Sequence, residues 1–134
     1  MIVFLACTKS KAEKPCKAQE MYKGELFKKS LKYAQGLKPR VIYILSAKYG
    51  LLELDDPIEP YEKTLNNASK HERKVWSYMV YKQLKDKGID FNEEVVFLAG
   101  ENYRQYLKQL FPKAKMPLQG LSIGRQLQYY KEHQ

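Results

Sequence analysis

Uninterrupted apolar runs of about five residues restrict the fold of this chain more than any other feature. Three strong runs cover 2–6, 41–45 and 95–99, and a weaker run covers 115–118. Continuous hydrophobicity, rather than alternation of apolar and polar residues, is typical of strands that are covered on both faces. The sequence therefore predicts a short, mostly parallel sheet of four strands.

Amphipathic patterns with helical spacing lie between these runs. They predict helices over 18–35, 69–87, 103–111 and 122–132. The second pattern opens with Ser69 and Glu72 at the spacing of a capping box. Strands that alternate with helices favour one α/β domain over 1–134, with helices flanking the sheet in three layers. The longest stretch without either pattern is 48–67, and irregular segments of that length are often functional.

The composition is that of a folded, cytoplasmic protein. Of 134 residues, 44% are hydrophobic, and the two cysteines, Cys7 and Cys16, are too few for a disulfide framework. We expect no metal site and no membrane span, because four convincing metal ligands and about 20 consecutive apolar residues are both missing. The glycines match neither the dinucleotide fingerprint nor the phosphate-binding P-loop, so no cofactor is expected.

The charge of the chain points to an acidic partner. Lysine and arginine number 24 against 15 aspartates and glutamates, which gives a formal charge of +9. Such a balance favours a nucleic acid or a nucleotide as ligand. The alternative is a lysine-rich surface that is merely solvated.

In open α/β sheets, ligands bind beyond the carboxyl ends of the strands. The first predicted strand ends in a polar loop that holds Cys7, Lys9, Ser10 and Lys11. Backbone N–H groups, hydroxyls and ammonium groups in such a loop can bind phosphate oxygens. We therefore predict Lys9 and Lys11 as phosphate ligands and Cys7 and Ser10 as further substrate-binding residues, with a solvated connection as the alternative.

The second predicted strand opens into the segment 46–52, Ser-Ala-Lys-Tyr-Gly-Leu-Leu. Ser46 and Lys48 are predicted to bind substrate, Lys48 through a phosphate. The ring of Tyr49 offers a face on which a base or sugar can stack. The alternative is that Tyr49 packs in the core.

An acidic, proline-containing segment, 55–62, follows next in the chain. Asp56 or Glu59 is predicted as the catalytic carboxylate, because a carboxylate can orient water or stabilise an oxocarbenium-like transition state. Tyr61 is predicted to stack on the base or sugar. The alternative for each acid is a role in capping a turn.

Two more segments complete the predicted site. Gly100, Tyr103 and Arg104 follow the third strand at the start of a helical pattern, where an anion can bind. Arg104 is predicted to assist a leaving group or a phosphate. Arg125, near the start of the last helix, is predicted to contact substrate.

Four of these segments together carry a family resemblance. The residues of 7–11, 46–52, 58–61 and 117–121 resemble the pattern of YaaA-like proteins, which are associated with DNA binding and protection against peroxide damage. The same segments resemble small phage and bacterial proteins that look like distant relatives of uracil-DNA glycosylases. The resemblance implies a short parallel sheet between helices, and an enzyme that flips a base out and cleaves its N-glycosidic bond.

Three functions follow as hypotheses. The first is a glycosylase-like enzyme that acts on a base in DNA, or on a nucleoside or nucleotide. The second is a DNA-binding or nucleotide-sensing module without catalysis. The third is an interaction protein, because 11 tyrosines are enough to supply a protein interface as well as a core.

Overall fold

A computed structural model of the protein describes residues 1–133. The strands are β1 (Ile2–Ala6), β2 (Cys16–Lys17), β3 (Val41–Ser46), β4 (Gly50–Glu53), β5 (Pro57–Ile58), β6 (Val95–Leu98) and β7 (Ala114–Lys115). The α-helices are α1 (Ala18–Met21), α2 (Glu25–Gly36), α3 (Lys70–Asp86), α4 (Glu101–Arg104) and α5 (Ile123–Glu132). Short 3₁₀ turns cover Leu65–Asn67 and Lys108–Leu110.

The main sheet confirms the α/β prediction but has five strands instead of four. Its order is β4-β3-β1-β6-β7, with β4 antiparallel to β3 and the other pairs parallel. The additional strand is β4, which forms a hairpin with β3. Sequence reasoning treated its buried Leu51 and Leu52 as part of the loop after β3, because only three residues, 47–49, separate the two strands.

The helix predicted over 18–35 is divided into α1 and α2. Tyr22 is extended rather than helical, with φ −93° and ψ 116°, and it pairs with Lys11 in an isolated bridge. The N–H of Lys23 donates to the carbonyl of Ser10 at 2.9 Å. The helical pattern is thus interrupted so that the chain can pair with the loop after β1, and the Tyr22 side chain is buried in the core.

The remaining helices agree in position with the sequence pattern, with one exception. Helix α3 begins after Ser69, whose hydroxyl accepts from the N–H of Glu72, and the reciprocal bond completes the predicted capping box. The predicted helix over 103–111 is instead the single turn α4 and a separate 3₁₀ turn. Within residues 1–133, no helix combines the length and apolar character needed to cross a bilayer.

The chain changes direction across the sheet at β1. It runs from β1 to β3 on one side and then passes back over β1 to β6 on the other side. Because crossovers between parallel strands are right-handed, α2 and α3 lie on opposite faces of the sheet. The rule for open α/β sheets places a ligand crevice where the strand order reverses, beyond the ends of β1 and β6.

Aromatic packing fixes the centre of the sheet. Phe4 in β1 is fully buried, and its ring stacks on Phe97 of β6 with centroids 5.0 Å apart. On the other side it stacks on Tyr43 of β3 at 5.9 Å. The three strands that carry the site are therefore joined by ring contacts as well as by hydrogen bonds.

Candidate functional site

A cavity of about 590 Å³ lies beyond the carboxyl ends of β1 and β6, where the strand order reverses. We call it the β1–β6 cavity. Three stretches of chain border it, namely the loop after β1, the segment between β5 and α3, and the start of α4. Its lining residues are Cys7, Thr8, Lys9, Lys11, Tyr61, Glu62, Lys63, Thr64, Asn66, Asn67 and Tyr103.

A chain of hydroxyl groups holds Tyr61 in the cavity wall. The Tyr61 hydroxyl lies 2.7 Å from the hydroxyl of Tyr22 and accepts a hydrogen bond from Ser46 Oγ at 2.8 Å. Ser46 and Tyr22 are almost completely buried. Burial raises the pKa of both Tyr22 and Tyr61 above the ordinary value for a phenol. Both phenol hydroxyls therefore stay protonated at neutral pH and act as neutral hydrogen-bonding groups.

A second buried pair joins the loop after β1 to α4. The Cys7 thiol donates to Tyr103 Oη at 3.3 Å, and the N–H of Leu65 donates to the same oxygen at 3.3 Å. Burial raises the pKa of Tyr103 to about 12. Cys7 is only 8% exposed, so it packs in the core while its edge borders the cavity.

The mouth of the cavity is basic. The ammonium group of Lys11 lies 4.6 Å from the centre of the Tyr61 ring, a cation–π contact. Lys9 and Lys63 are exposed at the rim, and among the lining residues Glu62 supplies the acidic side chain. Three ammonium groups against one carboxylate favour an anionic ligand.

Helices α3 and α4 hold the rim segment that contains Asn66. Arg73 of α3 donates from Nε to the carbonyl of Leu65 at 3.1 Å, and from Nη2 to that of Asn66 at 3.4 Å. Asn102 of α4 donates to Asn66 Oδ1 at 2.9 Å. The amide of Asn66 is therefore oriented before any ligand arrives.

The residues predicted at the end of the second strand, Ser46, Lys48 and Tyr49, do not line the cavity. Ser46 Oγ accepts from the N–H of Tyr49 at 3.0 Å and so closes the turn after β3. The Tyr49 ring meets the Tyr61 ring edge-on at 5.7 Å, and its hydroxyl accepts from the N–H of Glu59 at 3.1 Å. The ammonium of Lys48 lies 5.3 Å from the centre of the Tyr49 ring.

The two predicted catalytic carboxylates lie outside the cavity lining. Asp56 Oδ2 accepts from the N–H of Glu53 at 2.8 Å and so caps the turn after β4. Glu59 has an exposed side chain in the segment after β5. Their catalytic role stays a prediction, whereas Glu62 is the carboxylate that the fold brings to the cavity.

Four other predicted ligands also lie outside the lining. Ser10 is exposed, and Gly100 directly precedes α4. Arg104 is 6% exposed and donates from Nη1 to the carbonyl of Ala99 at 2.9 Å, so it braces the end of β6. Arg125 lies in the first turn of α5.

The sequence predictions did not select six of the eleven residues that line the cavity. The missed residues are Thr8, Glu62, Lys63, Thr64, Asn66 and Asn67. Five of them lie within the irregular stretch 48–67, whose length was itself a signal for function. No periodic pattern in that stretch shows which side chains turn toward the sheet, and so the individual residues could not be selected.

The fold and the cavity define an α/β protein with a basic, tyrosine-containing site at the switch point of its sheet. Residues 2–132 match a family model described as a family of unknown function, DUF6884, and the chain belongs to that family. No curated protein matches the chain. Within residues 1–133, no group of three or more histidines, cysteines and carboxylates is arranged to hold a metal ion.

Proposed function

We propose that the β1–β6 cavity binds a nucleotide, either free or as a unit of a nucleic acid. The observation that carries the proposal is the combination of lysines, asparagine amides and tyrosines around a cavity of about 590 Å³. A volume of several hundred Å³ at the switch point of an α/β sheet is typical of a small-molecule site.

The phosphate of the ligand pairs with the lysines of the rim. Lys9 and Lys11 come from the loop after β1, and Lys63 reaches the cavity from the opposite segment. Ammonium groups on two sides of one anion give charge-assisted hydrogen bonds from both directions. The single acid among the lining residues, Glu62, leaves the rim with a net positive charge.

The base or sugar of the ligand meets amides and phenols. Asn66 and Asn67 offer both donors and acceptors, which suits the edge of a base. Lys11 lies over the Tyr61 ring at 4.6 Å, so one face of this ring is already in contact with a cation. The predicted stacking of a base on Tyr61 therefore uses its remaining exposed surface, or requires Lys11 to move onto a phosphate.

The binding proposal is tested by titration calorimetry with nucleoside monophosphates and with the matching nucleosides. We expect the monophosphates to bind more tightly, and the double variant Lys9→Ala/Lys11→Ala to lose about tenfold or more in affinity, as is typical of lost hydrogen bonds to a charged group. The charge-matched control is Lys28→Ala/Lys32→Ala, which removes two exposed lysines of α2. Equal losses in the two double variants would contradict the proposal.

Cleavage of an N-glycosidic bond is a second candidate, and the position of Glu62 favours it. A carboxylate at the cavity can orient a water molecule toward the anomeric carbon, or stabilise the positive charge that develops on the sugar. Water then supplies the new C–O bond, the C–N bond breaks, and the base leaves with a proton. The resemblance to relatives of uracil-DNA glycosylases points to the same reaction.

Mass spectrometry of released base, from DNA with modified bases and from free nucleotides, tests this candidate. We expect Glu62→Gln to abolish release, and Asp56→Asn/Glu59→Gln to retain it, because only Glu62 lines the cavity. Release that depends on Asp56 and Glu59 but not on Glu62 would restore the sequence prediction. Nucleotide binding without release of base would show that the protein is a nucleotide-binding module without this catalytic activity.

A further inference from the structure

The outer face of α3 exposes an unusual amount of apolar and aromatic surface. Val75 is 56% exposed, Tyr78 is 60% exposed and Met79 is 36% exposed. Among residues 1–133, these are three of the four large hydrophobic side chains that are exposed, and Ile123 is the fourth. The opposite face of α3, with Trp76, Val80 and Leu84, is buried in the core. The outer face therefore has apolar surface that the fold itself does not use.

The aromatic part of this surface forms a continuous groove. The groove has a volume of about 240 Å³ and runs between α3 and the turn that follows α4. Tyr78 and Tyr81 border it from α3, and Tyr106 borders it from the other side. Leu107 and Leu110 also line it, so much of its wall is apolar.

A lysine accompanies each tyrosine of this groove. The ammonium of Lys82 lies 5.7 Å from the centre of the Tyr78 ring, and that of Lys85 lies 5.4 Å from the Tyr81 ring. The Lys74 ammonium is 5.7 Å from the Tyr106 ring. We call these six residues, Lys74, Tyr78, Tyr81, Lys82, Lys85 and Tyr106, the tyrosine–lysine face.

The rings of this face are supported from behind. Tyr78 and Tyr81 lie with their ring centres 6.1 Å apart and their planes 31° apart. Tyr81 packs on Phe91 at 5.7 Å, and Phe91 packs on the core residue Phe111 at 5.2 Å. The Tyr78 ring is thus the outermost of a series of tilted ring contacts that leads into the core, and it is exposed to solvent.

We propose that the tyrosine–lysine face binds a single strand of nucleic acid. Aromatic faces that stack bases, alternating with cations that contact phosphates, are how proteins bind single strands without sequence preference. The 17 residues of α3 include five lysines and arginines against two acids, so the charge of the helix suits a polyanion. A second copy of the chain fits less well, because a symmetric contact would place the same lysines against each other.

This inference concerns a surface other than the β1–β6 cavity and does not depend on its ligand. The groove and the cavity share no lining residue. A mononucleotide that occupies the cavity leaves the tyrosine–lysine face free. The two proposals can therefore fail separately.

Fluorescence anisotropy with a labelled oligothymidylate at low salt tests the stacking contact. We expect Tyr78→Ala to weaken binding about fivefold or more, because base–aromatic stacking is sequence-tolerant and substantial. Tyr78→Phe keeps the ring and should keep the affinity. Ile123→Ala removes an equally exposed apolar side chain from α5 and should bind as the unaltered protein does.

The salt dependence of the same titration tests the phosphate contacts. Removing two contacts with Lys82→Ala/Lys85→Ala should make the negative slope of log affinity against log salt shallower by about 1.4, the value for two phosphates of a single strand. The control Lys28→Ala/Lys32→Ala removes the same charge from α2 and should change the slope less. Circular dichroism at 222 nm checks that α3 is intact in each variant.

Three outcomes would overturn the inference. The first is the absence of oligonucleotide binding at low salt. The second is binding that Lys9→Ala/Lys11→Ala weakens and Tyr78→Ala does not, which would assign the strand to the cavity. The third is a dimer in sedimentation velocity that Tyr78→Ala dissociates without any change in oligonucleotide affinity, which would assign the face to a second copy.

Discussion

Tyr61 connects several separate parts of the site. Its hydroxyl bonds to Ser46 of β3 and to Tyr22 between α1 and α2, and its ring contacts Lys11 and Tyr49. The sequence predicted it as a stacking ring within the proline-containing segment 55–62. The structure gives it an additional role, since it satisfies two buried hydroxyls behind the cavity.

Replacing Tyr61 by phenylalanine tests that role. We expect Tyr61→Phe to lower the free energy of unfolding by about 1–3 kcal/mol, because Ser46 and Tyr22 lose a partner in a buried setting. Urea denaturation followed by circular dichroism measures the change. The matched control is Tyr78→Phe, which removes a hydroxyl from an exposed ring and should leave stability unchanged. Equal midpoints for both variants would show that the buried hydroxyls find other partners.

At the scale of elements, the β3–β4 hairpin depends on a clamp from α3. Gln83 accepts from the N–H of Leu51 at 2.8 Å and donates to the carbonyl of Tyr49 at 3.1 Å. Gly50 lies between these two residues with φ +76°, a conformation that side chains disfavour. The hairpin in turn positions Tyr49 and the buried Ser46 behind the cavity.

Gly50→Ala is expected to loosen this clamp. A Cβ at position 50 would collide with Gln83 Oε1 and come within 2.8 Å of Met79 Cε, and the positive φ adds strain. We expect a loss of about 1–3 kcal/mol in the free energy of unfolding, measured by thermal or urea denaturation. Gly36→Ala is the control, because a Cβ there meets no atom within 4 Å and should leave stability unchanged or slightly raised. Similar losses at both positions would argue against the clamp.

Some elements could be predicted from sequence because their signals are local. β1, β3 and β6 are continuous apolar runs, and α3 begins with a capping box. β4 escaped prediction because it is four residues long and follows its partner after a three-residue turn. The break at Tyr22 escaped because it arises from pairing with Lys11, a tertiary contact that helical periodicity cannot show.

For the site too, local sequence signals predicted some residues, and tertiary contacts decided the others. The strand-end rule selected Cys7, Lys9, Lys11 and Tyr103, and the structure brings them to one cavity because the carboxyl ends of parallel strands share one edge. Tyr61 reaches the same cavity from the segment 55–62. It could not separate the acids of 55–62, since the direction of each side chain depends on turns and on the β2–β5 pair. Whether a carboxylate caps a turn or faces a cavity is decided by those tertiary contacts.

At the scale of the whole molecule, the two ends of the sheet differ in character. At the amino end, Arg40 binds Glu93 through two hydrogen bonds, at 2.7 and 3.0 Å, and the amino group of Met1 lies 3.1 Å from Glu93. These contacts join the segments that lead into β1, β3 and β6. At the carboxyl end, Lys9, Lys11 and Lys63 line the β1–β6 cavity. One end of the sheet therefore holds the strands together, and the other is open to a ligand.

The contacts of Glu93 at the amino end of the sheet predict that the protein becomes less stable at acid pH. The hydrogen bond from Arg40 lowers the pKa of Glu93 to about 2, below the value of about 4.3 expected in the unfolded chain. The stabilisation that ionised Glu93 gives to the folded state is complete above the pKa of the unfolded chain and is lost as the pH falls through the folded pKa. The free energy of unfolding should therefore decline between about pH 5 and pH 2. We expect Glu93→Gln to be less stable than the unaltered protein at pH 7, by a margin that shrinks toward pH 2.

Urea denaturation at pH 7 and pH 3 of both proteins measures that margin. Glu94→Gln is the control, because Glu94 is exposed and uses its backbone carbonyl, not its carboxylate, to accept from Ile2. A margin that stays constant with pH would show that Glu93 acts through packing and not through its charge.

The short edges of the sheet have a consequence for how the protein behaves at high concentration. At one edge β7 pairs over only two residues, and at the other edge the N–H of Leu51 in β4 is already bonded to Gln83. Little unpaired backbone is left for a strand of another molecule to extend the sheet, which is how many β-containing proteins begin to aggregate. Crowded solutions should therefore bring these molecules together through side-chain surfaces rather than through continuous intermolecular sheets.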